Sequence, residues 1–372
     1  MRSLHVAQVC ADRGIAPGST KGAAQHLRGL AAGLANLGHD VITYAAREPE
    51  GPYPVPVVGL GDLADPGADA IDVVYERYSL GHRSGLDHAR ARGVPFVLEV
   101  NAPLVDEAAI HRPDTVDHAA PDVEAELLAE ADLVVTVSGE LTRWVGRRRT
   151  GPTVTVRNGF EPRWFREPRA DHAAIRYPLV FLGHPKPWHG ADRIVSLLLD
   201  LARLGHHPDA LVIGGGSGGD VVRRAARRAR VADRLHITGP LPPDRASAML
   251  AEAGIGLAPY PRQEPFYFCP LKVIDYLAAG LPVVATDQGD IPQIVGDAGY
   301  LVDPDDHGAL VAAVVELLDS PRQRRTMGRA GRRRAMATMT WDRVAARTVE
   351  AIRLATAPAE STPDPFPSPT PR

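Results

Sequence analysis

The sequence has almost no cysteine and no long apolar run. Its two cysteines among 372 residues, Cys10 and Cys269, lack the paired spacing of a disulfide framework or a zinc site. No stretch approaches the roughly 20 apolar residues of a membrane span. The N-terminal residues lack the apolar core of a signal peptide. We therefore expect a cytoplasmic protein with at most peripheral membrane contact.

Lysine is also scarce, and no charge of one sign dominates. The formal net charge of −3 argues against a nucleic-acid partner. Of the 42 basic residues only Lys21, Lys186 and Lys272 are lysines, so arginine carries the general surface charge. Each lysine lies within two residues of a glycine or proline. A random scatter would not often place all three lysines in candidate motifs, so their placement favours a role in those motifs.

Strand and helix patterns alternate through two successive blocks, which predicts an α/β fold. A length of 372 residues with 44% apolar content favours two domains. Each block has the pattern of a doubly wound, Rossmann-like parallel sheet, so two such domains would face each other across a cleft. The predicted boundaries are a first domain over 1–165, a linker over 166–176, a second domain over 177–340, a helix over 341–356 that could return to the first domain, and a disordered Pro-rich tail over 357–372.

The segment EPFYFCPLKVIDYLAAG, residues 264–280, predicts a loop followed by a helix. Pro270 suits the first turn of a helix and Gly280 suits its end. The first backbone N–H groups of a helix have no intrahelical acceptor, and the macrodipole favours an anion beside them. Lys272 adds a full positive charge. The start of this helix is a candidate phosphate site, although a plain buried helix with a Pro start fits the pattern equally well.

Two further motifs suggest other cofactors. Gly214, Gly216 and Gly219 have the GxGxxG spacing of a dinucleotide site, but the next strand, LHITG, has no acidic residue for the ribose. Asp303 and Asp305 form an Asp-x-Asp pair between a short strand and a helix, where helix capping is the simpler explanation. We therefore expect neither a nicotinamide or flavin cofactor nor a metal.

Several segments, taken in order, resemble the retaining nucleotide-sugar glycosyltransferases of family 4, in particular a bacterial subset. They are STKGAAQHLRGLAAGLANLGHDV, ADLVVTVS, VRNGFEPRWF, FLGHPKPWHGADRIV and PLKVIDYLAAGLPVVATDQGDIPQIV with GYLVDPDD. The resemblance implies a GT-B fold of two facing Rossmann-like domains. It also implies metal-independent transfer of a hexose-type sugar, with retention, from a UDP- or GDP-linked donor. The acceptor would be a small molecule, a lipid-linked molecule or a glycan.

The resemblance also implies site residues. The candidates for catalysis are Lys186, Lys272, Glu264 and Glu99. The candidates for donor binding are Gly22, Asn158, Gly183, His184, His189, Gly215, Tyr267, Cys269, Leu271 and Asp275.

The chain departs from the family pattern at several of these positions. Asp275 replaces the second Glu of the E-x7-E motif, Tyr267 replaces the first, and Glu264 lies three residues before Tyr267. The family's histidine after the fourth strand is missing. We expect Glu99 or Asn101 to face the cleft instead, the alternative being that Glu99 is a strand-end carboxylate paired with an arginine.

Two other functions are compatible with the sequence. A sugar-nucleotide epimerase on the same two domains would convert the donor without an acceptor. A non-catalytic nucleotide-binding or scaffold subunit would account for the missing glutamate and histidine.

Overall fold

The computed structural model describes residues 2–64, 71–111, 117–166 and 175–357. Most of the predicted linker, residues 167–174, and the predicted disordered tail from residue 358 onward lie outside the described residues.

The first half of the chain forms a seven-stranded parallel sheet in the order β3-β2-β1-β4-β5-β6-β7. Its central strands are apolar runs buried on both faces, as parallel strands covered by helices must be. The strands are β1 His5–Cys10, β2 Asp40–Ala45, β3 Val57–Gly59, β4 Val73–Arg77, β5 Phe96–Val100, β6 Leu133–Thr136 and β7 Thr153–Thr155.

Helices connect these strands and cover the sheet. They are α1 Gly22–Asn36, α2 Ser84–Arg92, α3 Leu104–His111, α4 Ala120–Glu130 and α5 Gly139–Gly146. The sequence pattern predicted neither α3 nor the short β3. The strand predicted over 153–159 ends early, because the Asn158 backbone N–H donates to the Cys269 sulfur instead of continuing a strand.

The second half forms a six-stranded parallel sheet in the order β10-β9-β8-β11-β12-β13. Its strands are β8 Tyr177–Leu182, β9 Ala210–Ile213, β10 Leu235–Ile237, β11 Ala253–Ala258, β12 Val283–Thr286 and β13 Gly299–Val302. Its helices are α6 Arg193–Arg203, α7 Ser217–Arg228, α8 Pro243–Leu250, α9 Leu271–Ala278, α10 Ile291–Val295 and α11 His307–Asp319. The two parallel sheets confirm the predicted fold class.

Two long helices end the described chain, α12 Pro321–Thr338 and α13 Trp341–Thr356. Helix α13 packs on α1, where the Trp341 ring lies so close to Gly29 that a Cβ there would be 2.0 Å from the ring. A second glycine, Gly33, admits the Trp341 backbone. The last helix therefore lies on the first sheet. Of the helices in the described ranges, none has both the length and the apolarity needed to cross a membrane.

Candidate functional site

The start of α9 is an uncapped helix N-terminus that faces the first half of the chain. Pro270 is its N-cap residue and makes no side-chain cap hydrogen bond. The first backbone bond runs from Val273 N to Pro270 O, 3.1 Å, so the amides of Leu271 and Lys272 precede it. A Cβ built on Gly22, at the start of α1, would lie 3.6 Å from Leu271 Cδ1. The two helix starts therefore meet between the halves.

Lys272, the second residue of α9, carries a buried ammonium. The residue is only 8% exposed, and its Nζ has no hydrogen-bond partner within the described structure. The Nζ lies 4.0 Å from the Phe181 ring centroid and 4.9 Å from that of Tyr260, within cation–π range. Burial lowers the pKa of Lys272 from its usual 10.5 to about 7. An anion entering here would supply the missing partner of this ammonium.

Gly183 leaves open the space next to Lys272. Its φ of +115° requires glycine, and a Cβ there would lie 3.8 Å from Lys272 Cε. We call the amides of Leu271 and Lys272, the Lys272 ammonium and Gly183 the anion site.

The glycine-rich segment after β9 packs against the loop that carries Gly183. A Cβ on Gly214 would fall 2.1 Å from the Gly183 carbonyl oxygen, and one on Gly216 would fall 2.4 Å from the His184 ring. Gly215 lies against Gly239 in the same way. Close packing of loops therefore accounts for the glycine spacing that resembled a dinucleotide motif.

His189 and Lys186 lie in the loop beside the anion site. His189 Nδ1 is 2.7 Å from the His184 carbonyl oxygen, and because a carbonyl only accepts, Nδ1 carries the proton. Burial and the nearby Lys272 lower the pKa of His189 to about 4, so the ring is neutral near pH 7. Lys186 is exposed, with its Nζ 5.7 Å from the Trp188 ring centroid. Lys186 therefore provides an exposed amino group in this loop.

Asp275 lies one helical turn beyond Leu271. Its side chain keeps some solvent exposure but is densely surrounded by protein, and this burial raises the pKa of Asp275 to about 7. The described residues provide its carboxyl with no hydrogen bond or ion pair. A ligand hydroxyl could donate a hydrogen bond to the Asp275 carboxyl group.

The first half of the chain holds the loop that leads into α9. Ser138 Oγ donates to the Tyr267 carbonyl at 2.7 Å, and Asn158 Nδ2 donates to the Cys269 carbonyl at 2.8 Å. The Tyr267 hydroxyl donates to Glu107 of α3. Burial raises the pKa of the Cys269 thiol to about 12, so this thiol is structural rather than reactive.

Asp290 forms a second link between the halves. Its Oδ2 accepts from Gly139 N at 3.0 Å and from Arg157 Nε at 2.7 Å, and its side chain is only 8% exposed. The Gly139 amide opens α5, so the carboxylate also complements that helix dipole.

A cavity of about 590 Å³ opens at the carboxyl ends of the first strands of sheet one. Arg13, Arg47, His82, Glu48 and Glu50 contribute its charged and titratable lining. Arg47 is already paired with Glu50 at 3.1 Å. This edge is where ligands bind in doubly wound sheets.

The sequence family model described as Glycosyl transferases group 1 matches residues 176–320, which include the whole anion site. Residues 176–320 are a group 1 glycosyl transferase domain. This confirms the family suggested by the sequence motifs.

Curated relatives include glycosyltransferases, and solved structures share the fold. An MMP alpha-(1->4)-mannosyltransferase of Mycolicibacterium hassiacum is 38% identical over 32% of this chain and 29% of its own length. A GDP-mannose-dependent alpha-(1-6)-phosphatidylinositol monomannoside mannosyltransferase of Mycolicibacterium smegmatis is 31% identical over 47% of each chain. These matches thus span half or less of the relatives' own length. Sucrose-phosphate synthase of Thermosynechococcus elongatus superposes with a TM-score of 0.73 at 20% identity, covering 95% of this chain and 99% of its own, which shows the GT-B fold.

Glu99, expected in the transferase cleft, is instead a buried acceptor in sheet one. It is 2% exposed, and its two oxygens accept from His26, Tyr75, Arg77 and Asn101. Burial alone would raise the pKa of Glu99, but His26, Arg77 and Tyr75 lower it to about 2. The expectation of a substrate-facing Glu99 is corrected to the alternative, a strand-end carboxylate paired with an arginine.

Glu264, a candidate catalytic residue, contacts Arg262 in the described structure. Its carboxylate is 81% exposed and lies 3.9 Å from Arg262. Asp303 and Asp305 also pair with Arg262, while Asp306 caps α11. The Asp-x-Asp sequence therefore belongs to a loop whose aspartates pair with Arg262. In the described ranges, no cluster of three or more His, Cys, Asp or Glu side chains could hold a metal.

Three residues around the anion site were not found from the sequence: His26, Tyr260 and Asp290. His26 lies on the buried face of α1 with Leu27, Leu30 and Leu34. A polar residue on an apolar helix face was a readable signal. The roles of Tyr260 and Asp290 depend on contacts between distant segments, which no local pattern encodes.

Proposed function

We propose that the protein transfers a hexose-type sugar from a nucleoside-diphosphate donor to an acceptor. The observation that carries this proposal is Lys272, a buried ammonium without a hydrogen-bond partner in the described structure, beside the uncapped start of α9. Burying an unpaired charge is costly, so a protein retains one chiefly where a ligand pairs with it. A diphosphate offers two negative groups of the right size for the helix amides and the ammonium.

The anion site would act on the leaving group. Breaking the anomeric C–O bond builds negative charge on the departing diphosphate, while the sugar approaches an oxocarbenium ion. Preorganised amides, Lys272 and, from the loop, Lys186 stabilise that charge more in the transition state than in the ground state. These cations supply the charge stabilisation that a metal provides in other transferases, so we propose metal-independent transfer. Retention, with the leaving phosphate accepting the acceptor's proton, follows the family resemblance.

We propose GDP-mannose as the first donor to test and UDP-sugars as the second. The GDP-mannose dependence named for the M. smegmatis relative supports the first choice. Asp275, with no protein partner for its carboxyl among the described residues, would accept hydrogen bonds from the ribose hydroxyls. The two loops that pack together at Gly183 and Gly214 contain His184, His189 and Gly215.

The acceptor would bind in the first domain, at the cavity lined by Arg13, Arg47 and His82. The mixed charge of this lining suits a polar, hydroxyl-rich acceptor, as a free molecule, a lipid-linked molecule or a glycan. The expected place of action is the cytoplasm.

The test is product analysis after incubation of the full chain with GDP-mannose or UDP-glucose and a pooled acceptor set. Mass spectrometry detects a new glycoside, and NMR spectroscopy assigns its anomeric configuration and distinguishes sugar epimers of equal mass. A new glycoside whose anomeric configuration matches the donor supports the proposal. A new sugar nucleotide formed with the donor alone would indicate an epimerase instead.

The exposed Glu264 and the engaged Tyr267 hydroxyl favour a second candidate, a nucleotide-binding subunit without turnover. Such a protein would bind GDP or UDP in a titration and release no sugar from any donor in the pooled assay.

A further inference from the structure

A chain of buried hydrogen bonds joins sheet one to the loop before the anion site. Glu99 Oε2 lies 2.8 Å from His26 Nε2, and His26 Nδ1 lies 2.6 Å from Asn158 Oδ1. Asn158 Nδ2 in turn donates to the Cys269 carbonyl, two residues before Leu271. His26 is 5% exposed and Asn158 is 7% exposed. The chain therefore reaches the start of α9 from the other domain through the protein interior.

The geometry fixes the direction of the hydrogen bond between His26 and Asn158. A backbone carbonyl only accepts, so the Asn158 amide nitrogen must face Cys269. The Asn158 oxygen then faces His26 Nδ1, and because this oxygen also only accepts, Nδ1 must carry a proton.

The other ring nitrogen faces a carboxylate. Tyr75 donates to the same Glu99 oxygen at 2.6 Å, and Arg77 donates to the second oxygen at 3.3 Å. A carboxyl group surrounded by donors is ionised, so His26 Nε2 donates to it as well. Both nitrogens of His26 therefore carry protons, and the ring is an imidazolium. Its face is closed by Trp341 of α13, packed edge-on at 5.3 Å.

We infer that His26 is a buried imidazolium that positions the anion site from the opposite domain. It fixes the Asn158 amide, and that amide holds the backbone carbonyl that directs Pro270 and the first amides of α9. A second contact on the same loop, Ser138 to the Tyr267 carbonyl, fixes the preceding residues. This inference rests on the proposed function, because the positioned element is the proposed diphosphate site.

The charge state of His26 can be measured without any substrate. Long-range ¹H–¹⁵N correlation spectra of protein labelled with ¹⁵N-histidine distinguish an imidazolium from a neutral ring. The His26→Gln variant identifies the signal. We expect both ring nitrogens of His26 to be protonated at pH 7. A neutral tautomer at that pH would overturn the inference.

Positioning is tested by Asn158→Asp, which keeps an oxygen for His26 but removes the donor to Cys269. The matched control is Gln8→Glu, since the Gln8 amide is 1% exposed and donates to the Leu27 carbonyl within the first domain. We expect Asn158→Asp to weaken binding of GDP or UDP by about 10-fold, the usual effect of losing a well-placed hydrogen bond, with wild-type affinity for the control. Equal affinities in the two variants would contradict positioning.

A double-mutant cycle addresses the chain as a whole. His26→Gln should also weaken nucleotide binding, and it should add little in the Asn158→Asp background, because the link is already broken. Fully additive losses would contradict a connected chain. If Asn158→Asp fails to fold, His26→Gln against the Gln8→Glu control decides the same question. If the wild type binds neither GDP nor UDP, the proposed function fails, while the histidine spectrum still decides the charge of His26.

Discussion

The Lys272 ammonium nitrogen lies 4.0 Å from the centroid of the Phe181 ring, although lysine side chains normally extend their charged end into solvent. The ring face partly compensates its charge, yet supplies no hydrogen bond for the three ammonium protons. The free protein thus keeps a cation poorly solvated next to an uncapped helix start. An anion that entered this site would relieve the poor solvation of the Lys272 ammonium.

Replacing Lys272 with methionine should stabilise the free protein while impairing its function. Methionine fills a similar volume between Phe181 and Tyr260 and removes an unpaired buried charge. We expect the free energy of unfolding at pH 7 to rise by roughly 1–3 kcal/mol. Chemical denaturation measures this, with Lys21→Met as the control, because Lys21 already donates to the Gly14 carbonyl at 2.8 Å. A marked loss of stability in Lys272→Met would show that the ammonium has a partner.

Asp275 and Lys272 should contribute to the pH dependence of stability in opposite directions. The pKa of Asp275 is raised to about 7 in the folded state, so its contribution to stability is lost as pH rises from about 4 to 7. The pKa of Lys272 is lowered to about 7, so the unfolded state binds more protons above pH 7. The Lys272 contribution to stability should therefore rise between about pH 7 and 10.5. The difference in stability between the wild type and Lys272→Met isolates this contribution from those of Glu76, Cys10 and Cys269, whose raised pKa values lower stability with rising pH.

Nucleotide affinity should follow the opposite trend above neutrality. The ammonium that pairs with the diphosphate is lost as pH rises through about 7, so the affinity for GDP or UDP should fall. Titrations from pH 6 to pH 9 measure this. The Lys272→Met variant should lack both the rise in stability and the lysine-dependent fall in affinity. A pH-independent affinity in the wild type would argue against Lys272 as the titrating contact.

Alanine at Gly214 should damage the loops behind the anion site. Gly214 has φ +141°, and its new Cβ would strike the Gly183 carbonyl. Gly205 is the matched control, with φ +86° and nothing within 4 Å of a Cβ. We expect Gly205→Ala to cost only the roughly 1–2 kcal/mol of a left-handed residue, and Gly214→Ala to cost distinctly more and to weaken nucleotide binding. Thermal unfolding and titration separate these effects; equal costs at the two sites would contradict the described loop packing.

Removing Asp290 should loosen the contact between the domains. Asp290→Ala leaves the Gly139 amide and Arg157 without their shared acceptor, at a cost of about 1–3 kcal/mol. Small-angle scattering should show a larger radius of gyration. The exposed pair of Asp220 with Arg223 provides the control, because Asp220→Ala should change stability by less than about 1 kcal/mol. An unchanged radius of gyration and an unchanged stability in Asp290→Ala would show that Asp290 does not hold the two domains together.

Much of the fold could be predicted from the sequence. Apolar runs such as YPLVFL form buried parallel strands. Because these strands alternate with helices, few chain topologies are possible. Helix α12 was missed because its arginine-rich sequence has no continuous apolar stripe. Its signals were a capping Ser320 and the following Pro321.

At the candidate site, too, local features could be predicted from the sequence, whereas contacts between distant segments could not. The start of α9 and Lys272 could be found because proline, lysine and a helical pattern are local features. Glu99 could not be assigned correctly, because its four donors come from four separate positions that only the folded sheet brings together. His26 could have been singled out as a polar residue on the apolar face of α1, but its contacts with Glu99 and Asn158 depend on the folded structure. The roles proposed for Lys186, His189 and Asp275 remain predictions.

Calorimetric titration of GDP and UDP into the wild type and Lys272→Met at pH 7 measures whether Lys272 binds the nucleotide. We expect saturable binding of at least one nucleotide to the wild type, and binding at least 10-fold weaker to a variant that is no less stable. Equal affinity of the two proteins for both nucleotides would contradict this expectation.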